Sequence, residues 1–268
     1  MEQSLGLICG AGVLPARMAA EARRQGWRVV AVTFGEAPGL APHADRVVPS
    51  RLNEAGAVLA VLREERVGAV LFSGKFWMQD FLRGERPDAA LAAVTERAGA
   101  MIDTKLLDVA VATLRSLGIT LLDQRPFIGD WLDGAGCWSA RRPTDAESED
   151  VRRGLAVARL AADLRVGQTV VVRRGAVTAV EALEGTTAAI RRGLALGGPG
   201  AVVVKAVARD HDYRFDTPTV GPETLEAAVA GGAAVVAVEA GRVLILERET
   251  TARLADAAGI ALVSVAAE

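Results

Sequence analysis

Four stretches of the chain gather residue types that could handle an anionic substrate. The first is Gly10-Ala11-Gly12-Val13-Leu14-Pro15. Glycines let a backbone turn tightly and approach a phosphate, and a helix starting behind them offers N–H groups to the anion. The stretch is half of a dinucleotide fingerprint, because the third glycine is absent. Thr33-Phe34-Gly35-Glu36 is only a loose match to the ribose-binding acid such a site needs. A tight strand–helix turn without a ligand suits the same residues equally well. The second is Phe72-Ser73-Gly74-Lys75, at the end of another apolar run, where open α/β sheets bind ligands. Lys75 could meet a phosphate there, and the plainer reading is a solvated lysine after a turn. The third is Glu184-Gly185-Thr186-Thr187, in which Thr186 is expected to cap a helix.

The fourth is Lys205 followed by a loop from Arg209 to Gly221, with Pro222 expected to open the next helix. A loop this long and charged inside a compact domain more often carries function than not. Asp210, His211 and Asp212 also fit a solvated loop with internal ion pairs. Asp216, between Phe215 and Pro218, is expected in a partly dry place.

Helix N-termini and a few cations favour an anionic substrate. A carboxylate beside them could hold a Mg²⁺ ion that neutralises phosphate oxygens, or could orient a water as a base. Other chemistries lack their signatures. There is no Gly-x-Ser-x-Gly elbow, and Gly74-Lys75 lacks both the earlier glycine and the following Ser/Thr of a phosphate-binding loop. The glutamate-rich helix of Nudix hydrolases is missing. Two histidines, His43 and His211, exclude metal centres built from several imidazoles.

These stretches need elements to position them. In the first half, strands are expected at Leu5–Cys9, Arg28–Thr33, Ala69–Ser73 and Ile119–Leu122. Helices are expected at Pro15–Gln25, from an Asn53 cap to Arg66, at Pro87–Ala100 and at Thr104–Leu117. This alternation implies a Rossmann-like, mostly parallel sheet covered on both faces. Glycines, Pro143, Thr144 and Asp145 break the pattern between Gly129 and Ser148. The domains are therefore drawn as 1–133, a linker 134–147, and 148–268. The second half reads as a mixed-sheet α/β domain. Its helices are Ala146–Leu164, Thr187–Leu196, Pro222–Ala230 and Thr250–Ala258. Its strands are Thr169–Arg173, Ala176–Glu181, Ala201–Val207, Ala234–Val238, Arg242–Leu246 and Ala261–Val265, with a turn at Arg174-Gly175 joining the first two.

Composition sets the outer bounds. The chain has 268 residues, 51% hydrophobic and 24% charged, which suits two modest domains with packed cores. A net charge of −2 argues against a dedicated nucleic-acid binder, which needs a basic face. Cys9 and Cys137 are the only cysteines, so no disulfide framework is expected. The basic residues are nearly all arginine, and the lysines are Lys75, Lys105 and Lys205. The start Met1-Glu2-Gln3-Ser4 lacks a basic signal-peptide region, and no apolar run approaches the roughly 20 residues of a membrane span. A cytoplasmic protein is expected. Peripheral contact with the inner membrane and a homodimer are left open.

The residues resemble one known family, the LpxI-type UDP-2,3-diacylglucosamine pyrophosphatases of lipid A biosynthesis. The matching pieces are Leu5 to Pro15, Ala179-Val180-Glu181-Ala182-Leu183-Glu184-Gly185-Thr186, Arg214-Phe215-Asp216-Thr217-Pro218-Thr219-Val220-Gly221, and Glu239-Ala240-Gly241-Arg242. They occur in the family's order along nearly the whole chain. The resemblance implies two linked domains holding a nucleotide-linked glycolipid between them. It implies Mg²⁺-assisted hydrolysis to UMP and the 1-phosphate lipid. It makes Asp216 the essential aspartate, as catalytic residue and metal ligand. It implies a substrate site shaped by Gly10, Ala11, Gly12, Gly74, Lys75, Glu184, Gly185, Thr186, Lys205, Thr217, Thr219 and Gly221. The sequence departs from the family pattern at Ala11, where a third glycine is common, and at Lys75, where asparagine occurs; 76–81 matches loosely. A nucleotide-dependent oxidoreductase and a non-catalytic lipid- or nucleotide-binding protein of the same fold are the alternatives.

Overall fold

The computed structural model describes residues 3–76, 86–99, 104–129, 132 and 134–266, and side chains from 107 onward in the helix that starts at 104. Residues 77–81 of the loosely matching stretch, Ala100 and residue 133 therefore lie outside the described residues. The chain divides into two compact units, Met1–Ile128 with Asp212–Asp216, and Gly129–His211 with Thr217–Glu268.

The first unit is built on strands β1 (Ser4–Cys9), β2 (Arg28–Thr33), β3 (Arg46–Pro49), β4 (Ala69–Ser73) and β5 (Thr120–Leu121). Every pairing among them is parallel, in the order β3-β2-β1-β4-β5. This is a doubly wound sheet whose order reverses between β1 and β4. Helix α1 (Leu14–Arg24) covers one face with Met18, Ala19 and Ala22, all buried. Helices α2 (Ala55–Glu64) and α4 (Thr104–Ser116) cover the other, where Leu62 and Leu114 meet Ile8, Val30, Val32 and Val70. Helix α3 (Ala89–Ala98) lies between α2 and α4 in the chain.

Two cap expectations fail here for a physical reason. Leu14, not Pro15, takes the first position of α1, with Pro15 second. Asn53 does not cap α2. Its amide donates to the Arg86 carbonyl at 3.3 Å. The carboxylate of Asp88 takes the Gly56 N–H at 2.6 Å and the Leu91 N–H at 2.8 Å, so one distant acid serves two helix starts. Edge strand β3, with Val47 exposed, was not expected.

The second unit holds a six-stranded sheet in the order β6-β13-β11-β9-β7-β8. Its strands are β6 (Gly136–Cys137), β7 (Thr169–Arg173), β8 (Ala176–Val180), β9 (Val202–Lys205), β11 (Val235–Glu239) and β13 (Ala261–Val265). The β9–β11 and β11–β13 pairs are parallel and the others antiparallel, so the sheet is mixed as expected. Helix α5 (Asp145–Asp163) packs on one face through Val151, Leu155 and Ala158. Its start carries a capping box between Thr144 and Glu147. Helices α6 (Thr186–Gly197), α7 (Pro222–Ala230) and α8 (Arg248–Ala258) pack on the other, through Ile190, Leu225 and Ala255. The Arg174-Gly175 turn joins β7 to β8, with both residues at positive φ. Buried Asp150 on α5 accepts both of its N–H groups, at 2.8 and 2.6 Å.

Two short pairings and one strand end correct the expected elements. Gly136–Cys137 adds an antiparallel edge to β13 inside the segment read as a linker. Lys205 ends β9, two residues before the expected end. The strand drawn at Arg242–Leu246 is only β12 (Leu244–Ile245). It leaves the main sheet and pairs with β10 (Thr219–Val220), which was not expected. Two-residue ladders carry too little periodicity to be seen in a sequence.

Candidate functional site

The order reversal between β1 and β4 brings the first two chemical stretches together, because both strands end at the same edge. The Ala11 N–H donates to the Lys75 carbonyl at 2.9 Å and the Lys75 N–H to the Ala11 carbonyl at 2.8 Å. Gly10 N–H donates to Ser73 O at 2.8 Å, and Gly12 N–H to Glu36 O at 2.9 Å. The glycines serve this approach of two main chains. A Cβ on Gly10 would lie 2.4 Å from the Lys75 carbonyl oxygen. One on Gly74, at φ +86, would lie within 3 Å of the Gly10 and Ala11 carbonyls. The N–H groups of Gly10, Ala11 and Gly12 thus all have backbone acceptors. The cradle that suggested a dinucleotide is closed by the protein's own chain.

In the second unit the corresponding edge is built from side chains. Lys205 ends β9 and is only 7% exposed. Its ammonium donates to the Thr186 hydroxyl at 3.2 Å, which donates to the Glu181 carboxylate at 2.8 Å. Thr186 is the first residue of α6, and the expected cap role belongs to Gly185, at φ +82. Glycine there supplies no side-chain acceptor for the helix's first N–H groups. Thr186 is thereby released to join Lys205 to Glu181. Thr169, opposite Lys205 in the β7–β9 register, is 1% exposed, and its hydroxyl has no hydrogen-bond partner.

Glu184 is engaged otherwise. It pairs with Arg192 and accepts the Ala182 N–H at 3.1 Å. Burial pushes its carboxyl up, but the Arg192 guanidinium and the nearby N–H groups outweigh it and hold the carboxyl below its ordinary value. Sequence reasoning did not single out Glu181. Its signal was there, an acid closing a strand five residues before Thr186.

The long loop splits between the units. Asp212 to Asp216 belong to the first. There the Gln124 N–H donates to the Tyr213 carbonyl at 3.0 Å, Arg125 lies over the Tyr213 ring, and Phe215 meets Phe72 at 6.0 Å between centroids. Asp212 holds Arg214 at 2.6 Å, and in the second unit Asp210 holds Arg165 at 2.9 Å, so both acids sit in local ion pairs. Asp216 is exposed, not partly dry as its neighbours suggested. Phe215 turns toward Phe72, and Thr217, Pro218, Val220 and Gly221 are the buried members of the motif, so the exposed Asp216 stands between a ring contact and a buried pair. Thr219 lies in β10, and Gly221 precedes Pro222, which opens α7 as expected.

Among the described residues, no three His, Cys, Asp or Glu side chains stand close enough to hold a metal ion by themselves. A donor set of one exposed carboxylate fits Mg²⁺ only as a shared ligand, with phosphate oxygens and waters completing the shell. Nor is any helix among the described residues long and apolar enough to cross a membrane.

Comparison with known proteins matches this arrangement from end to end. The LpxI N-terminal domain family matches residues 4–131 and the LpxI C-terminal domain family residues 134–263. A curated relative, the UDP-2,3-diacylglucosamine pyrophosphatase LpxI of Caulobacter vibrioides, is 30% identical over 98% of both chains. Solved structures are more distant. N5-carboxyaminoimidazole ribonucleotide synthetase from Thermotoga maritima is 13% identical, with 67% of this chain and 41% of that one covered and a TM-score of 0.25. Glycinamide-RNase-transformylase T from Mycobacterium tuberculosis is 19% identical, with 65% and 43% covered and a TM-score of 0.26. The chain spans less than half the length of these two, and likeness at that level adds nothing to the functional reading. With both halves matched in order, and with the resemblance read from the sequence motifs borne out, the chain belongs to the LpxI family.

Proposed function

We propose that the protein hydrolyses the pyrophosphate bond of UDP-2,3-diacylglucosamine, releasing UMP and 2,3-diacylglucosamine 1-phosphate, in lipid A biosynthesis. The observation that carries this reading is the 30% identity to a curated pyrophosphatase over 98% of both chains. The geometry is compatible with it. A buried ammonium at Lys205 beside the start of α6 suits one charged end of a diphosphate. The Thr186 hydroxyl, fixed by Glu181, orients that ammonium.

In this reading Asp216 is the carboxylate that serves the reacting phosphate. An exposed carboxylate beside the buried Thr217 and Pro218 can meet a substrate while its main chain is held. Asp216 and substrate oxygens would hold Mg²⁺, which would supply charge neutralisation at the phosphate when bound. The remaining work belongs to the chain's own groups: Lys205 attracts and aligns the anion, and Asp216 orients what meets the phosphorus.

The test is UMP release by purified protein from UDP-2,3-diacylglucosamine with added Mg²⁺. Release is expected to be lost with chelator and restored by the metal. Failure to form UMP under these conditions, together with a diacylated glucosamine phosphate recovered intact from the protein, would favour a binding protein of the same fold.

A further inference from the structure

The loop that carries Asp216 leaves the second unit after His211 and re-enters it at Thr217. Both of its limbs are held by one short segment, the connection from β11 into β12. Glu239, at the end of β11, is fully buried. One of its oxygens accepts the Val207 N–H at 3.0 Å. The other accepts Arg159 at 2.7 Å and Arg242 at 3.2 Å. Arg242 then donates to the carbonyls of Ala208, at 2.6 Å, and Arg209, at 3.2 Å. That fixes the outgoing limb. On the returning limb, Leu244 N–H donates to the Pro218 carbonyl at 2.8 Å and Leu246 N–H to the Val220 carbonyl at 2.8 Å.

We infer that the Glu239–Leu246 segment is a bracket that positions Asp216, with Glu239 and Arg242 as positioning residues for the proposed hydrolysis. The inference rests on the reading of Asp216 as the reactive carboxylate. Asp216 stands two residues before Pro218, so a shift of the returning limb displaces it directly. The bracket centres on one buried carboxylate held by two half-buried guanidinium groups, and such charge networks fix one geometry more than they add stability. Three charged groups at one loop stem exceed what two backbone limbs need for hydrogen bonding alone. A displacement on the order of 1 Å at a reacting group costs about a hundredfold in rate, which is the scale a positioning device guards against.

The test uses the full chain and two substitutions. Arg242→Met removes the bonds to Ala208 and Arg209 while Glu239 keeps Arg159 as a partner, so the fold survives. Glu239→Gln is the harsher companion. A core truncation on β13, Val263→Ala, controls for general destabilisation. Arg242→Met is expected to lower kcat roughly tenfold or more with KM for the glycolipid within about threefold, because the change acts on the reacting carboxylate and not on binding. Amide exchange is expected to quicken between 207 and 218 and to stay unchanged in β7 and β8. Unchanged kcat beside quickened exchange would overturn the inference. So would an equal loss of kcat in Val263→Ala at matched melting temperature. If wild-type protein releases no UMP, the function reading fails separately. The exchange measurement then decides alone, and unchanged exchange in Arg242→Met overturns the bracket.

Discussion

At the carboxyl edge of the first unit's sheet, the main chain bonds to itself; at the same edge of the second unit's sheet, side chains do the bonding. In the first, Gly10, Ala11 and Gly12 give their N–H groups to Ser73, Lys75 and Glu36 carbonyls, and the glycines exist so that two backbones can touch. In the second, a buried ammonium, a threonine hydroxyl and a carboxylate join at the start of α6, with buried Thr169 opposite Lys205 in the sheet. The difference teaches that a glycine-rich turn after a strand reports a close approach, and the partner need not be a phosphate. A buried charge at a strand end is the sharper sign of a ligand, because its desolvation must be offset by something.

Substitutions on the two sides should therefore fail differently. The largest effect is expected for Gly10→Ala. Its Cβ would press on the Lys75 carbonyl, and the first unit should lose about 3 kcal/mol of stability, read from urea unfolding. A neutral result would mean that the two turns are not locked together. Next, Lys205→Met is expected to raise KM roughly tenfold, about 1.4 kcal/mol, while the melting temperature holds or rises, since replacing a buried charge by an apolar chain is often stabilising. A fall in stability at constant KM would make Lys205 a scaffold residue. Thr169→Val comes third. Its buried hydroxyl has no partner, so removing it should stabilise the second unit by about 1 kcal/mol in a thermal melt. A loss instead would reveal a bound partner for that hydroxyl.

The smallest effect concerns acid. Bonds from the Arg125 side chain hold the Asp123 carboxyl below its ordinary value; burial opposes them, and Asp212 nearby opposes them slightly. A depressed folded-state value contributes stability that is complete above the unfolded-state value near pH ~4. That stability is lost as pH falls through the folded-state value. Asp123→Asn should therefore lower the first unit's stability slightly at neutral pH and flatten its acid limb, so that variant and wild type converge below pH ~4. An unchanged acid limb would remove the Asp123–Arg125 pair from the account.

Both sheets were legible in the sequence because their central strands are short apolar runs bounded by glycine, and because helical patterns separate them. The edges were not. Strands β3, β6 and β10 are two to four residues long and half-exposed, too short for alternation to register. Caps misled for a different reason. Asn53 and Thr186 are good local cap residues, yet Asp88 reaches α2 from far along the chain and Gly185 takes the cap of α6. The motif around Asp216 was legible as a charged loop before a helix. Its exposure was not, since which of Phe215, Asp216, Thr217 and Pro218 turns inward depends on Phe72 and Leu244, both distant in sequence.

The central claim is that Asp216 serves the reacting phosphate of a nucleotide-linked glycolipid. It is tested most directly by the steady-state kinetics of Asp216→Asn with UDP-2,3-diacylglucosamine and Mg²⁺. The account predicts a loss of kcat of roughly a hundredfold or more with KM within about threefold, the signature of a group that acts mainly in the transition state. An Asn variant that releases UMP at the wild-type rate would contradict it.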